Sequence, residues 1–163
     1  MSGTTVTRVV PAPPEAVWSL FTDLAARPSW LSEVESVELL TPGEIRPGTR
    51  WRETRVDAKG AQVTEELVLT EVESGRSLEM TITDGGEASR LAYTFAPVDV
   101  GEHRGGTSVT ATVEGGPHGL ANLLIAFFLG EFVARTAEGH LRDELDELAS
   151  AVLARTAGES TAA

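Results

Sequence analysis

The sequence predicts an α+β domain in which a seven-stranded antiparallel sheet curves around a long C-terminal helix. One observation is a proline-free segment from residue 119 to about residue 154, which Gly115, Gly116 and Pro117 precede as breakers. Its second half is amphipathic, but its first half is apolar on almost every side and must therefore be buried. The other observation is a series of strand-like segments separated by short turn signals, which is typical of an antiparallel meander.

The N-terminal residues predict one strand followed by two short helices. Residues 4–10 form the strand. Pro13 and Pro14 then open a helix, because a proline in the first turn removes no hydrogen bond. Apolar residues of this helix follow at i, i+3, i+4 and i+7, namely Val17, Leu20, Phe21 and Leu24. Asp23 is placed to cap a second short helical piece, which ends near Trp30.

Six further strands are predicted between turns that contain glycine or proline. Their expected positions are residues 33–40, 49–57, 61–73, 77–83, 89–98 and 107–114. Alternation along these strands places apolar side chains on one face. The clearest sets are Leu78, Met80 and Ile82, then Leu91, Tyr93 and Phe95, and finally Val109, Ala111 and Val113. We expect this face to meet the helix.

Length and composition limit the classes of function. The 163 residues fit one domain, which we place at residues 1–155, with an unstructured tail at residues 156–163. The net charge of −12, from 25 acidic and 13 basic residues, argues against nucleic acid and anionic membranes as partners. The chain has no cysteine, which excludes disulfides, zinc–thiolate sites and thiol nucleophiles.

No membrane or export segment is predicted. The uncharged run at residues 119–130 is shorter than the about twenty residues of a bilayer-spanning helix. Residues 1–10 lack the basic region and apolar run of a signal peptide, so we expect a cytoplasmic protein. The sequence is compatible with a homodimer as well as with a monomer.

Several residues in this order of elements carry a resemblance to a known superfamily. They are Pro13-Pro14-Glu15-Ala16-Val17-Trp18, Asp23, Pro28-x-Trp30 and Gly48-x-x-Trp51. With the short helices, the meander and the long helix, residues 5–153 resemble the START/Bet v 1-like (SRPBCC) superfamily, in particular its polyketide cyclase/dehydrase-like branch. The resemblance implies a helix-grip fold with an apolar cavity between the sheet and the helix. It also implies a hydrophobic small-molecule ligand, aromatic or polycyclic, in a superfamily that includes cyclases, aromatases and lipid carriers.

Trp51, Glu53 and Arg55 alternate along one predicted strand and therefore share a face. If Trp51 points into the cavity, the carboxylate and the guanidinium do so too. The pair can then anchor a polar ligand group, or shift a carboxyl pKa for acid–base catalysis. In the alternative interpretation, a bulge near Thr54 returns both charges to solvent, or they form a salt bridge at the sheet edge.

Tyr93 is the only tyrosine of the chain and lies on an apolar strand face between Leu91 and Phe95. Inside a cavity its phenol can donate to a substrate carbonyl or stabilise an enolate. The alternative is a core tyrosine that donates to a backbone carbonyl. Glu65, which has apolar neighbours on its own face, presents the same choice.

One continuous cavity of about a few hundred cubic ångströms is expected between the sheet and the helix. Its predicted lining is Trp30, Trp51, Leu78, Met80, Ile82, Leu91, Tyr93, Phe95, Leu124, Phe128 and Phe132. No metal or cofactor is predicted, because His103, His118 and His140 lack the spacing of metal ligands. The run Gly115-Gly116-Pro117 lacks the lysine of a phosphate-binding loop.

Three functions fit these expectations. The first is a cyclase or dehydratase that folds a polyketide-like chain and uses Tyr93, Glu53 and Arg55 to polarise carbonyls or move protons. The second is a non-catalytic carrier or sensor of a hydrophobic ligand. The third is a co-chaperone or toxin-like protein-interaction module of the same superfamily. Buried polar groups with shifted pKa values favour the first, an entirely apolar cavity the second, and an exposed apolar patch over a filled interior the third.

Overall fold

The structure is a computed structural model that describes residues 2–56, 60–84, 87–115 and 137–161. Its strands are β1 (Ser2–Val10), β2 (Val34–Leu39), β3 (Arg50–Val56), β4 (Gln62–Glu73), β5 (Ser77–Asp84), β6 (Glu87–Pro97) and β7 (Thr107–Gly115). Its helical elements are α1 (Pro14–Thr22), a 3₁₀ turn (Leu24–Ala26), α2 (Arg27–Trp30) and α3 (Ala137–Thr161).

The seven strands form one antiparallel sheet, which confirms the predicted meander. The strand order is β1-β7-β6-β5-β4-β3-β2, so that β2 to β7 pair in sequence order and β1 returns to pair with β7. Each strand begins and ends within two residues of its predicted position. In the turn between β4 and β5, Gly75 has a φ of 75°, a left-handed conformation that favours glycine.

The first helix confirms the apolar spacing that predicted it. α1 starts at Pro14 and buries Val17, Leu20 and Phe21. The ring centroid of Phe21 lies 4.6 Å from that of Tyr93 on β6, so that aromatic side chains fill the core beneath α1. Asp23 stands at the N-cap position of the 3₁₀ turn, but its side chain makes no capping hydrogen bond, and that detail of the prediction is wrong.

The C-terminal helix α3 confirms the predicted amphipathic pattern and packs on β1 and α1. Its buried residues are Leu141, Leu145, Leu148, Ala149 and Val152. The apolar first half of the predicted helix lies in residues 116–136, outside the described residues. The predicted lining residues Leu124, Phe128 and Phe132 are therefore also outside them, as is His118.

The predicted end of the C-terminal helix near residue 154, with an unstructured tail after residue 155, is wrong. α3 continues to Thr161. The Thr156 hydroxyl donates to the Val152 carbonyl at 2.8 Å, and Arg155 pairs with Glu159 at 3.9 Å across one helical turn. The tail is rich in small residues but contains no proline, and such contacts let the helix continue.

Candidate functional site

Strand β3 turns one face toward the interior, and it carries charged residues there. Trp51 and Glu53 are fully buried, and the side chain of Arg55 is only 12% exposed. β3 pairs with β4 in unbroken register from Arg50 to Val56. The prediction that Glu53 and Arg55 point into the interior is therefore correct. The alternative, in which a bulge returns both side chains to solvent, is wrong.

The carboxylate of Glu53 accepts hydrogen bonds from three buried side chains. Trp51 Nε1 donates to Oε1 at 2.9 Å, and Arg55 Nη2 donates to Oε2 at 3.0 Å. The third donor is Nε of Arg27, which also reaches Oε1. Arg27 comes from α2 and is 2% exposed. A buried carboxylate with several donors and two neighbouring cations is stable only in its charged form.

For Glu53, the attraction of the neighbouring positive charges outweighs the cost of burial. Burial alone raises the pKa of a carboxyl group, because it disfavours the charged form. The guanidiniums of Arg27 and Arg55 oppose this effect, with help from the Trp51 and Arg27 hydrogen bonds, and lower the pKa of Glu53 to about 2. Glu53 is therefore a carboxylate at every physiological pH and not a general acid.

Arg55 lies between two carboxylates that face each other across the sheet. Glu53 on β3 and Glu65 on β4 lie directly opposite each other. Two carboxylates in such positions repel each other unless a cation lies between them. Arg55 Nε lies 3.6 Å from Glu65 Oε2, and Glu65 is fully buried. Burial lowers the pKa of Arg55, but Glu53, Glu65, Glu144 and Glu33 outweigh this and raise it. We call Arg27, Glu53, Arg55 and Glu65 the buried ion cluster.

Tyr93 contacts the C-terminal helix instead of a backbone carbonyl. Its hydroxyl donates to Glu144 Oε1 at 2.6 Å. Burial, followed by the charge and the hydrogen bond of Glu144, raises the pKa of Tyr93 well above its ordinary value. The phenol therefore stays protonated at neutral pH and acts as a hydrogen-bond donor beside the buried ion cluster.

A cavity lies between the sheet and α3, with a volume of about 70 Å³. Its apolar wall consists of Leu31, Ile82, Leu91, Val113, Ala137 and Leu141. Its charged or polar wall consists of Glu33, Arg55, Glu65, His140, Asp143, Glu144 and Glu147. The volume is smaller than the few hundred cubic ångströms expected from the sequence, and the predicted lining residues of the helix are outside the described residues.

The structure brings some of the predicted lining residues to the cavity and places others around it. Ile82 and Leu91 are on its wall. The remaining described members of the predicted set are buried in the surrounding core, and they are Trp30, Trp51, Leu78, Met80, Tyr93 and Phe95. Contact of any of these residues with a ligand stays a prediction.

Sequence reasoning missed Arg27 and Glu144. Arg27 lies one helical turn before the buried Trp30 in α2, and that spacing was the available signal for an inward arginine. Glu144 belongs to the charged series of α3, but it lies one turn after His140 and one before Leu148, at the border of the apolar face. Its proximity to Tyr93 depends on how α3 lies on the sheet.

Other classes of site find no support in the part of the chain that the structure describes. No group of three or more histidine, aspartate or glutamate residues there could bind a metal ion. None of the helices described combines the length and the apolar character needed to cross a bilayer.

Comparisons with known proteins extend this picture. No curated protein matches the chain. Similar solved structures include TTHA0849 from Thermus thermophilus, with 24% identity, a TM-score of 0.69 and coverage of 94% of this chain and 99% of that chain. Ara h 8.0201 has 16% identity, a TM-score of 0.69 and coverage of 94% and 98%. A START superfamily protein from Mycobacterium smegmatis has 15% identity, a TM-score of 0.63 and coverage of 94% and 95%.

These identities are low, so the structural likeness shows the fold alone. The sequence itself supplies the family. Residues 1–153 match the family model described as "Polyketide cyclase / dehydrase and lipid transport". The chain therefore belongs to the polyketide cyclase/dehydrase and lipid transport family, as its sequence resemblance predicted.

Proposed function

We propose that this protein binds a hydrophobic, aromatic or polycyclic small molecule in the cavity between the sheet and α3. The proposal rests on the lining of the cavity, which has an apolar part and a charged part. Ile82, Leu91 and Leu141 supply apolar surface, whereas Arg55 and Glu65 supply charge at the same cavity. Small-molecule sites commonly combine a mostly apolar wall with a few polar groups that orient the ligand. The family description, which includes lipid transport, supports the same conclusion.

A protein-interaction module is the weaker interpretation. Large exposed apolar residues of the described chain are few, and they are Leu39, Leu40, Val100 and Leu153. They belong to β2 and the residue after it, to the loop after β6 and to α3, and so come from three separate elements. Interaction surfaces of soluble proteins are usually contiguous apolar patches, which this distribution does not favour.

A ligand as large as benzene requires the described walls of the cavity to move apart. A volume of about 70 Å³ is less than half of the roughly 150 Å³ of an engineered protein cavity that binds benzene. The chain after α2 borders the cavity and is joined to α3 by polar contacts. Glu147 accepts from the Ser32 backbone N–H at 2.7 Å and from its hydroxyl at 3.0 Å, and His140 Nδ1 lies 3.6 Å from Glu33. Release of these contacts separates α3 from that chain segment.

The first test is a titration with N-phenyl-1-naphthylamine, a neutral dye that fluoresces in apolar surroundings. We expect Leu91→Phe to weaken dye binding about tenfold, equivalent to about 1.4 kcal/mol, because the added ring fills the cavity. Thr94→Phe is the matched control, since Thr94 lies on the same strand but is exposed. Equal dye affinity in the two variants and the parent protein would contradict binding in this cavity.

The second test identifies the natural ligand. Native mass spectrometry of freshly purified protein reports any small molecule that copurifies. The Leu91→Phe variant should carry less of it than the parent protein, and Thr94→Phe should carry the same amount. A copurified molecule that is fully polar would contradict a hydrophobic ligand.

Acid–base catalysis on a polyketide-like chain is a second candidate function, favoured by one specific observation. Glu144 is on the cavity wall, and its carboxylate accepts a hydrogen bond of 2.6 Å from the Tyr93 hydroxyl in the core behind it. If the phenol O–H turns from Glu144 to a carbonyl of the ligand, it can polarise that carbonyl, and the released Glu144 carboxylate can accept a proton from an adjacent carbon or hydroxyl.

Replacing Tyr93 with Phe separates the two functions. The variant is expected to lose about 2 kcal/mol of unfolding free energy, because one hydrogen bond to a carboxylate disappears, while the ring still packs on Phe21. A carrier should retain its dye affinity and show no conversion of the copurified molecule in either protein. An enzyme should convert that molecule by loss of water or ring closure, and Tyr93→Phe should slow the conversion at unchanged dye affinity.

A further inference from the structure

Two buried N–H groups near the cavity lack a partner. Among the described residues, neither Arg27 Nη1 nor Trp30 Nε1 has a hydrogen-bond acceptor. Arg27 is 2% exposed and Trp30 is 8% exposed, so bulk water does not hydrate these donors fully. Buried polar groups in folded proteins are nearly always paired, and each exception calls for an explanation such as a bound ligand or water.

The two donors come from one turn of α2 and are fixed in place. Arg27 Cζ lies 6.0 Å from the ring centroid of Trp30. Nε of Arg27 is already bonded to Glu53, which orients the guanidinium and leaves Nη1 available. The Trp30 ring packs against Phe21, with centroids 6.3 Å apart. Neither nitrogen borders an open space, so an acceptor between α2 and the sheet meets them only when the surrounding side chains move apart.

Two residues of the cavity wall, Leu31 and Arg55, connect the donors to the cavity. Leu31, the residue after Trp30, is on the cavity wall, and so is Arg55. Arg55 shares the carboxylate of Glu53 with Arg27. The two donors lie behind this part of the wall, and a polar group of a ligand reaches them past Leu31 and Arg55.

The negative charge around the two donors favours a neutral acceptor over an anion. The two guanidiniums of the buried ion cluster are balanced by its two carboxylates. Glu33 lies 4.0 Å from Arg55, and the carboxylate of Glu144 is bonded to Tyr93, so the balance is already negative. A further anion would add uncompensated charge to a poorly solvated site, which is costly. A neutral oxygen can accept both hydrogen bonds without this cost.

We propose that Arg27 and Trp30 form a subsite for a neutral carbonyl-type oxygen of the ligand, such as that of a ketone, ester or amide. The subsite rests on the proposed function, since the oxygen belongs to the molecule that occupies the cavity. It specifies that function further, because it predicts that the ligand is an uncharged carbonyl compound and that carboxylic acids are rejected.

The test compares three probes of similar size: acetophenone, ethylbenzene and benzoate. Each is titrated against protein loaded with N-phenyl-1-naphthylamine, in the parent protein, in Trp30→Phe and in Trp18→Phe. The measured quantity is the Kd for ethylbenzene divided by the Kd for acetophenone. Removal of one hydrogen bond should lower this ratio about tenfold in Trp30→Phe. Trp18→Phe is the matched control and should keep the parent ratio, because the Trp18 ring packs on Phe95. Benzoate should bind more weakly than acetophenone.

A spectroscopic measurement on the parent protein gives an independent result. The chain has three tryptophans, whose indole N–H resonances in ¹⁵N-labelled protein can be assigned with the Trp18→Phe and Trp30→Phe variants. Acetophenone should move the Trp30 resonance downfield, and ethylbenzene should not. This measurement decides the question even where a variant fails to fold.

The outcomes separate the subsite from the proposed function. An unchanged ratio in Trp30→Phe, or equal effects of the two probes on the Trp30 resonance, would mean that the donors bind only internal water and would overturn the subsite while dye binding stands. Tighter binding of benzoate than of acetophenone would overturn the neutral-oxygen assignment. Absence of displaceable dye binding to the parent protein would overturn the subsite and the proposed function together.

Discussion

Replacing Glu53 with Gln is expected to lower the free energy of unfolding by about 3–5 kcal/mol. Glu53 is fully buried and bonded to Arg27 and Arg55. The amide has almost the same shape as the carboxylate, so the change leaves packing intact but removes the negative charge between two buried cations. An uncompensated buried charge is the main cost. Urea denaturation at neutral pH, followed by far-UV circular dichroism, measures the loss.

Glu66→Gln is the matched control for this prediction. Glu66 follows Glu65 on β4, and it pairs with Arg50 on the outer face of the sheet. Exposed ion pairs contribute little to stability, so the control should be nearly silent. A double mutant that combines Glu53→Gln with Arg27→Met should recover part of the loss, because it removes the buried cation that Glu53→Gln strands, whereas Arg55 keeps Glu65 as a partner. Additive effects of the two changes would contradict an ion cluster in the interior.

The fold was predictable because it depends on local, repeated patterns. Alternating apolar residues on β5, β6 and β7 specify which face is buried, and the turn residues specify where strands end. Both patterns are determined by the backbone geometry of strands and turns. The end of α3 was not predictable in the same way. Small and polar residues such as those after Arg155 are compatible with both helix and coil, and their sequence contains no signal that decides between the two.

The candidate site was only partly predictable because charged residues depend on partners from distant parts of the sequence. Alternation established that Trp51, Glu53 and Arg55 share a face, but not that the interior could accept their charges. Arg27 of α2 supplies the additional cation, and its contact with Glu53 joins residues 26 positions apart. A single sequence carries no pattern for such a contact.

Acid should remove about 3 kcal/mol of stability through Glu53 alone. The pKa of its carboxyl group is about 2 in the folded protein, below the ordinary value of 4.5. The unfolded chain therefore takes up this proton at higher pH than the folded protein does, and protonation favours unfolding. The contribution is fully present above about pH 4.5 and is lost as the pH falls toward 2. A shift of about 2.5 pKa units corresponds to about 3 kcal/mol, of which about 2 kcal/mol is already lost at pH 3.

Glu53→Gln isolates this loss from that of all other carboxyl groups. Both proteins share the remaining acids, so their stabilities fall together with acid except for the contribution of Glu53. The destabilisation caused by Glu53→Gln at pH 7 should therefore shrink by about 2 kcal/mol at pH 3. Urea denaturation of both proteins at several pH values between 7 and 3 measures the difference. A difference that stays constant over this range would show that Arg27 and Arg55 do not lower the pKa of Glu53. The cluster would then owe its stability to the shape and hydrogen bonds of residue 53, which glutamine can reproduce in part, and not to its charge.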